Sequence, residues 1–188
     1  IIALSPNQKH FAVEPLPHLA QNLRVLFDGR VRVVEKALSD HSGTTSFQYV
    51  KNAPAYSGIK KRAYATTDPD IVELQVQMTT LDEMVGEEHI DFIKIDVEGG
   101  EYAVLQGAVQ TLSRCSPVVV FECGMGATEY YSTTPQMMFE WWDQMEYDIL
   151  TLPQYLKEST GMTKLEFQTL FDTGAEYYFI AVPRLKNA

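Results

Sequence analysis

Four acidic residues stand where short apolar runs of the sequence end, and this placement indicates ligand binding. Glu14 closes FAVE, Asp40 follows KAL, Asp96 closes IKID and Glu122 closes VVVFE. In open parallel sheets, ligands bind beyond the carboxyl ends of the strands. Polar residues also end strands in order to cap the following helix. Four strands that each end in an acid nevertheless favour a shared binding site at one edge of a sheet.

The clearest of the four acids is Glu14, which is followed directly by Pro15. An acid at the end of the second strand of a nucleotide-binding unit accepts hydrogen bonds from ribose hydroxyl groups. Proline removes a backbone donor and prevents the strand from continuing. The pair predicts an adenosine-containing cofactor, and by itself it leaves open a nicotinamide dinucleotide or S-adenosylmethionine.

The stretch FIKIDVEGGEYAVLQGA, residues 92–108, places three acids around a double glycine. The glycines at 99–100 allow a sharp turn from strand to helix. Free N–H groups at the helix start stabilise Glu98 and Glu101, so we interpret Glu101 as a helix-start residue. Asp96 lies on the strand side, where a carboxylate could stabilise a sulfonium cation or accept a proton from an attacking hydroxyl.

The elements that must position these acids alternate between strand and helix. Apolar runs predict strands at 10–15, 30–38, 90–96, 117–123, 147–152 and 176–183. Helical spacing of apolar residues occurs at 19–27, 104–112, 138–145 and 165–171. Continuous apolar strands separated by helices predict an α/β fold with a mostly parallel sheet covered on both faces.

Two regions depart from this alternation. Residues 44–82 are β-rich and contain a loop with Pro54, Gly58 and Pro69, which predicts an insertion that forms an extra ribbon or a lid. The last two predicted strands have no strong amphipathic helix spanning the distance between them, which is compatible with an antiparallel final strand. The length of 188 residues predicts a single domain over 1–188 that carries this insertion.

Composition excludes several classes of function. The net charge is −10, so non-specific binding to nucleic acid is not expected, and we interpret the basic run 60–62 as a solvated loop. No apolar run approaches the roughly 20 residues that cross a bilayer, so no membrane association is predicted.

The two cysteines, Cys115 and Cys123, lack CxxC spacing, which argues against a disulfide framework or zinc site and favours a reducing, cytoplasmic compartment. The acids show no defined ligand spacing, so no metal is predicted.

The order of motifs resembles the FkbM family of S-adenosylmethionine-dependent methyltransferases. The resemblance runs over 11–122 through FAVEP, VEKALSDHSGTTSF, TTLDEM, DFIKIDVEGGEYAVLQGA and VVVFE. It implies the class I methyltransferase fold, a Rossmann-like, doubly wound and mostly parallel sheet whose last strand is antiparallel. The family's first strand and glycine-rich loop should precede FAVEP, where only IIALSPNQKH stands, so we expect this chain to be N-terminally incomplete.

The resemblance also implies roles for particular residues. The implied cofactor-binding residues are Glu14 and Pro15 at the ribose, Ala37, Leu38, Ser39 and Asp40 along the adenine, and Asp96 near the methionine moiety. Asp96 and Glu98 are the implied catalytic residues. The implied reaction is methylation of a hydroxyl group on a small acceptor, such as a sugar or another glycan-like or natural-product molecule.

Two other functions remain open on the residues alone. A nicotinamide-dependent oxidoreductase shares the acid after the second strand, but its glycine fingerprint is not seen. A degenerate methyltransferase fold could also serve as a non-catalytic binding module. Acceptor specificity is expected to lie in 44–82 and in the loop at 124–135, which contains Tyr130 and Tyr131.

Overall fold

The computed structural model describes residues 2–64 and 68–184, which form an α/β fold. The strands are β1 (Phe11–Val13), β2 (Arg32–Val34), β3 (Ala37–Leu38), β4 (Gly43–Val50), β5 (Ile71–Thr79), β6 (Phe92–Ile95), β7 (Val118–Glu122), β8 (Tyr147–Leu150) and β9 (Tyr178–Pro183). The helices are α1 (Pro17–Phe27), α2 (Leu81–Val85), α3 (Glu101–Gln106), α4 (Val109–Cys115), α5 (Pro135–Gln144), α6 (Leu152–Leu156) and α7 (Lys164–Thr173). Short 3-10 helices occupy Pro54–Tyr56 and Thr128–Tyr131.

The described strands form three sheets and not the single sheet expected from the sequence. One sheet is the parallel pair β1–β2, the second has the order β3–β5–β4, and the third has the order β6–β7–β9–β8. The predicted strand at 30–38 is two strands. The physical reason is a change of partner, because Val33 pairs with Ala12 in β1 whereas Ala37 pairs with Met78 in β5.

The final strand is antiparallel, as its sequence context suggested. Strand β9 runs antiparallel to both of its neighbours, with Ala181 opposite Val119 of β7 and Ile149 of β8. The apolar stripe predicted at 138–145 faces the core, since Met138 and Trp142 are fully buried and Trp141 and Met145 pack against their cluster. Their cluster, which also includes residues of α3, α4 and α7, packs against the third sheet.

The predicted continuous helix at 104–112 is wrong, because the chain breaks between α3 and α4 at Gly107. A Cβ atom at Gly107 would lie 2.2 Å from the carbonyl oxygen of Ser39, so glycine lets the helix end approach β3. Asp82 then accepts hydrogen bonds from the backbone N–H groups of Gln110 at 3.0 Å and Thr111 at 2.7 Å, which starts α4 afresh. This junction sets α3 against the residues that follow β3.

Residues 44–82 contain an antiparallel ribbon. Strands β4 and β5 pair from Gly43 opposite Met78 to Val50 opposite Ile71. A smaller apolar cluster lies between this ribbon and the start of α1, and it consists of Leu16, Ala37, Phe47, Val76 and Met78. Part of the predicted insertion, residues 65–67, lies outside the described residues. The ribbon therefore has its own core, next to β3.

Candidate functional site

A cavity of about 730 Å³ opens between the two apolar clusters, at the carboxyl ends of β1, β3 and β6. All the site residues named from the sequence line this cavity: Glu14, Pro15, Ala37, Leu38, Ser39, Asp40, Asp96 and Glu98. The fourth strand-end acid, Glu122, is not among the lining residues. The volume is in the range of small-molecule sites, which is about 300–1,000 Å³.

Sequence reasoning missed much of the cavity wall. The additional lining residues include Leu19, Lys36, His41, Thr44, Phe47, Ile59, Lys60, Met78 and Tyr131. Most of them come from the β4–β5 ribbon and its connection, which the sequence identified as a region of specificity without naming residues. Tyr131 lies in the loop at 124–135 that was named for the same reason.

The Glu14 carboxylate is positioned by the start of α1. Its Oε1 atom accepts a hydrogen bond from the backbone N–H of Leu16 at 2.8 Å, and its own N–H donates to the carbonyl of Val34 at 3.0 Å. Burial raises the pKa of Glu14, and the hydrogen bond from Leu16 opposes that effect. Glu14 is therefore a half-buried acceptor fixed at the end of β1.

The residues after β3 form a second wall of the cavity. Ser39 is buried, its N–H donates to the carbonyl of Thr79 at 3.1 Å, and its hydroxyl donates to Asp40 Oδ1 at 3.1 Å. His41 Nδ1 lies 2.6 Å from the same oxygen, and this hydrogen bond is the main reason that the pKa of Asp40 is lowered. Ala37 and Leu38 supply apolar surface beside these polar groups.

The turn after β6 carries Asp96 and Glu98 into the cavity. Glu98 has φ +61° and Gly99 has φ +102°, both in the left-handed region that side chains disfavour. A Cβ atom at position 99 would lie 2.5 Å from the carbonyl oxygen of Ala127, so glycine is required there. Gly100 has φ −85° and room for a Cβ, so the sharp turn depends on Gly99 and not on the pair.

Glu101 begins α3, as the sequence indicated, but it is only 1% exposed. Its Oε1 atom accepts hydrogen bonds from the N–H groups of Val97 at 2.9 Å and Gly99 at 3.3 Å. Burial raises its pKa, and its Oε2 atom has no hydrogen-bond partner within the described part of the chain. Glu101 thus stabilises the turn after β6 through buried hydrogen bonds.

Asp96 lines the cavity and has two titratable neighbours. It forms an ion pair with Lys94 of β6, and Glu122 lies beside it at the end of β7. Burial, with nearby acids as a second cause, raises the pKa of Glu122 to about 7. Glu122 therefore lies next to Asp96, outside the lining of the cavity.

The interpretation of 60–62 as a solvated loop is wrong for Arg62. The Arg62 side chain is only 7% exposed because the connection folds back onto the turn after β6, where the guanidinium forms an ion pair with Glu98. The guanidinium also lies over the ring of Tyr56, 5.5 Å from its centroid. Within this run, Lys60 lines the cavity, and Arg62 holds the connection against the turn after β6.

The methyltransferase FkbM domain model matches residues 2–158. The chain belongs to this family. The crystal structure of methyltransferase FkbM from Methylobacillus flagellatus KT shares the fold, with a TM-score of 0.55 at 13% sequence identity. That similarity covers 96% of this chain and 38% of the other, so the FkbM-type chain described here spans well under half of its neighbour's length. No curated protein matches this chain.

No group of three or more His, Cys, Asp or Glu side chains in ranges 2–64 and 68–184 is arranged to hold a metal ion. Within the same ranges, no helix combines the length and apolar character needed to cross a membrane. Both cysteines are buried and free.

Proposed function

We propose that this FkbM-type chain binds S-adenosylmethionine in the cavity and methylates a hydroxyl group of a small acceptor, such as a sugar or a natural-product scaffold. The observation that carries the proposal is that Glu14 and Asp96, from separate sheets, line one cavity together with Ala37–Asp40. Membership of the FkbM family supports methyl transfer as the reaction class. The proposed fold is the doubly wound, class I arrangement of that family.

The chemistry of the residues that line the cavity fits an adenosyl ligand. Glu14 offers a half-buried carboxylate at a strand end, which suits the two hydroxyl groups of a ribose. Ala37 and Leu38 offer apolar surface to an adenine ring, and Ser39 and Asp40 offer polar groups at its edge. We assign the cofactor-binding role to these residues with Pro15, which ends β1 beside the ribose position.

The carboxylates after β6 suit the other end of such a ligand. Bound S-adenosylmethionine supplies an electrophilic methyl group on a cationic sulfur, which leaves as the neutral thioether when an oxygen attacks the carbon. The Asp96 carboxylate stabilises positive charge near that position and can accept the proton that the attacking hydroxyl releases. Glu98 lies on the acceptor side, and alignment of the oxygen with the methyl carbon supplies much of the rate enhancement.

The acceptor is proposed to be a small molecule and not a nucleic acid, because the net charge is −10. A reducing, cytoplasm-like setting is proposed because Cys115 and Cys123 are unpaired. Burial raises the pKa of Cys123 to about 12, so this thiol is not a reactive nucleophile at neutral pH.

Thermal-shift measurements with S-adenosylmethionine, S-adenosylhomocysteine and NAD test the proposal, because a ligand that binds only the native state raises its stability with concentration. Stabilisation by the two adenosyl compounds and not by NAD is expected. A response to NAD alone would assign the chain to the oxidoreductases, and no response to any of the three would leave a binding module. Transfer of labelled methyl groups to a panel of monosaccharides and phenolic glycosides then tests the acceptor class.

A further inference from the structure

The backbone from Gly58 to Tyr64, hereafter the 58–64 segment, is tied to the two elements that flank the cavity. Tyr131 accepts a hydrogen bond at its hydroxyl from the N–H of Lys60 at 3.1 Å. Tyr130 accepts one from the N–H of Ala63 at 3.0 Å. Both tyrosines belong to the 3-10 helix Thr128–Tyr131, so one short helix holds the segment at two points.

Arg62 provides the third and strongest attachment. Its guanidinium forms the ion pair with Glu98 across the turn after β6, and Nη1 donates to the carbonyl of Gly126 at 3.4 Å. The side chains are 7% and 23% exposed, which makes the pair far less screened than a surface ion pair. Arg62 itself does not line the cavity, whereas Glu98 does.

The 58–64 segment and Glu98 face each other closely. A Cβ atom at Gly58 would lie 3.6 Å from Glu98 Cβ and 3.4 Å from the Tyr131 hydroxyl. Ile59 and Lys60 line the cavity, while the proposed adenosyl-binding residues come from β1 and β3. The wall made by the segment is therefore built from different elements than the adenosyl-binding side.

From these contacts we infer that Arg62 is a positioning residue that acts through Glu98 and fixes the 58–64 segment as the acceptor-side wall of the cavity. The inference rests on the proposed function, because it assigns the opposite wall to the adenosyl group. It also gives Glu98 a structural role, because the Glu98 carboxylate holds Arg62 as well as lining the cavity.

Limited digestion with trypsin tests this inference directly, because Lys60 and Lys61 place cleavage sites inside the segment. Arg62→Met removes the ion pair at similar side-chain length, Arg62→Lys keeps a charge, and Lys61→Met is the matched control on an exposed neighbour. Cleavage after Lys60 is followed by mass spectrometry, while calorimetry measures S-adenosylhomocysteine affinity for each variant. Glu98→Gln completes a double-mutant cycle with Arg62→Met.

We expect Arg62→Met to speed cleavage after Lys60 by about tenfold or more, through local opening of the segment. Arg62→Lys should recover part of the protection, and Lys61→Met should match the wild type. S-adenosylhomocysteine affinity should stay within about threefold of the wild-type value. Arg62→Met with Glu98→Gln should cleave no faster than Arg62→Met alone, because each substitution removes the same interaction.

Two results would overturn the inference. One is unchanged cleavage after Lys60 in Arg62→Met. The other is an equal increase at tryptic sites throughout the chain, since that would mean that Arg62 only stabilises the whole fold. Failure of the wild-type protein to bind S-adenosylhomocysteine would instead overturn the proposed function, so the two failures are distinguishable.

Discussion

Asp96 and Glu122 lie side by side at the carboxyl ends of β6 and β7, where Ile95 pairs with Phe121 in the parallel register. Burial, with the neighbouring acids Glu101, Asp96 and Glu98 as further causes, raises the pKa of Glu122 to about 7. Glu122 therefore keeps its proton over a pH range in which an ordinary carboxyl group is ionised. The titratable groups that interact with Glu122 are Asp96, Glu98, Glu101, Cys123 and Tyr178.

This relationship predicts a pH dependence of stability. Between the ordinary value of 4.5 and about 7, the folded protein keeps a proton on Glu122 that the unfolded chain releases. The contribution of protonated Glu122 to the free energy of unfolding is fully present below pH 4.5 and is lost as the pH rises through about 7. After allowance for the exposed half of the side chain, the loss is about 1–2 kcal/mol. Urea unfolding of wild type and Glu122→Gln at pH 5 and pH 8 measures it, and the variant should lack this contribution.

Glu140→Gln is the contrasting control, because a hydrogen bond from Lys164 lowers the pKa of Glu140. The contribution of ionised Glu140 to stability is present above the pKa that this group has in the unfolded chain, and it is lost as the pH falls. This pH dependence is opposite in sign to that of Glu122. If the two substitutions alter the pH profile in the same direction, the assignment of the proton to Glu122 is wrong.

Gly107→Ala should destabilise the fold by about 2 kcal/mol or more, within the range observed for overpacking. The added Cβ would lie 2.2 Å from the carbonyl oxygen of Ser39, and backbone on both sides must shift to admit it. Gly100→Ala is the matched control, because its Cβ would make only ordinary contacts of 3.4 Å and beyond. Denaturant midpoints compare the two, and an equal loss in both variants would contradict the close approach at Gly107.

Thr111 and Thr128 make a matched pair of buried hydroxyl groups. Thr111 is 1% exposed and its Oγ1 atom has no hydrogen-bond partner within 2–64 and 68–184, whereas Thr128 is 2% exposed and donates to the carbonyl of Gly124 at 2.9 Å. Thr111→Val should leave stability unchanged or raise it by about 1 kcal/mol, and Thr128→Val should lower it by about 1 kcal/mol. Thermal unfolding of the two variants checks the expectation, which fails if Thr111→Val is the more damaging change.

Asp96→Asn should leave the melting temperature close to that of the wild type and reduce methyl transfer by about 100-fold or more, because the amide cannot accept the hydroxyl proton. Glu14→Gln should instead weaken adenosyl binding, since one carboxylate oxygen becomes a donor group at the ribose position. Calorimetry with S-adenosylhomocysteine and a methyl-transfer assay separate the two effects. Full turnover in Asp96→Asn would remove Asp96 from the reaction.

Much of the cavity could be predicted from the sequence because its key residues are tied to strand ends. Glu14 and Asp96 each follow an apolar run, and ligands in α/β folds bind beyond the carboxyl ends of strands. The motif order also indicated the family correctly. The antiparallel last strand could be suspected because the sequence shows no strong amphipathic helix that spans the whole distance between the last two predicted strands.

Other features depend on contacts between residues far apart in the chain. Arg62 looked like part of a solvated charge run, because no local pattern shows that its partner is Glu98, 36 positions away. The break at Gly107 was missed because helical spacing continues through it, and only the approach of Ser39 makes a glycine necessary. Glu122 was placed with the other strand-end acids, and its position behind Asp96 follows from the register of β6 and β7.

The sequence by itself determined which acids end the strands, which helical faces are apolar and which family the chain belongs to, because periodicity and motif order are local properties of the chain. The tertiary structure alone decided that residues from three sheets line one cavity, that Arg62 pairs with Glu98 and that the pKa of Glu122 is raised. Those properties arise from burial and from charges brought together by folding, and neither is written in the spacing of residues along the chain.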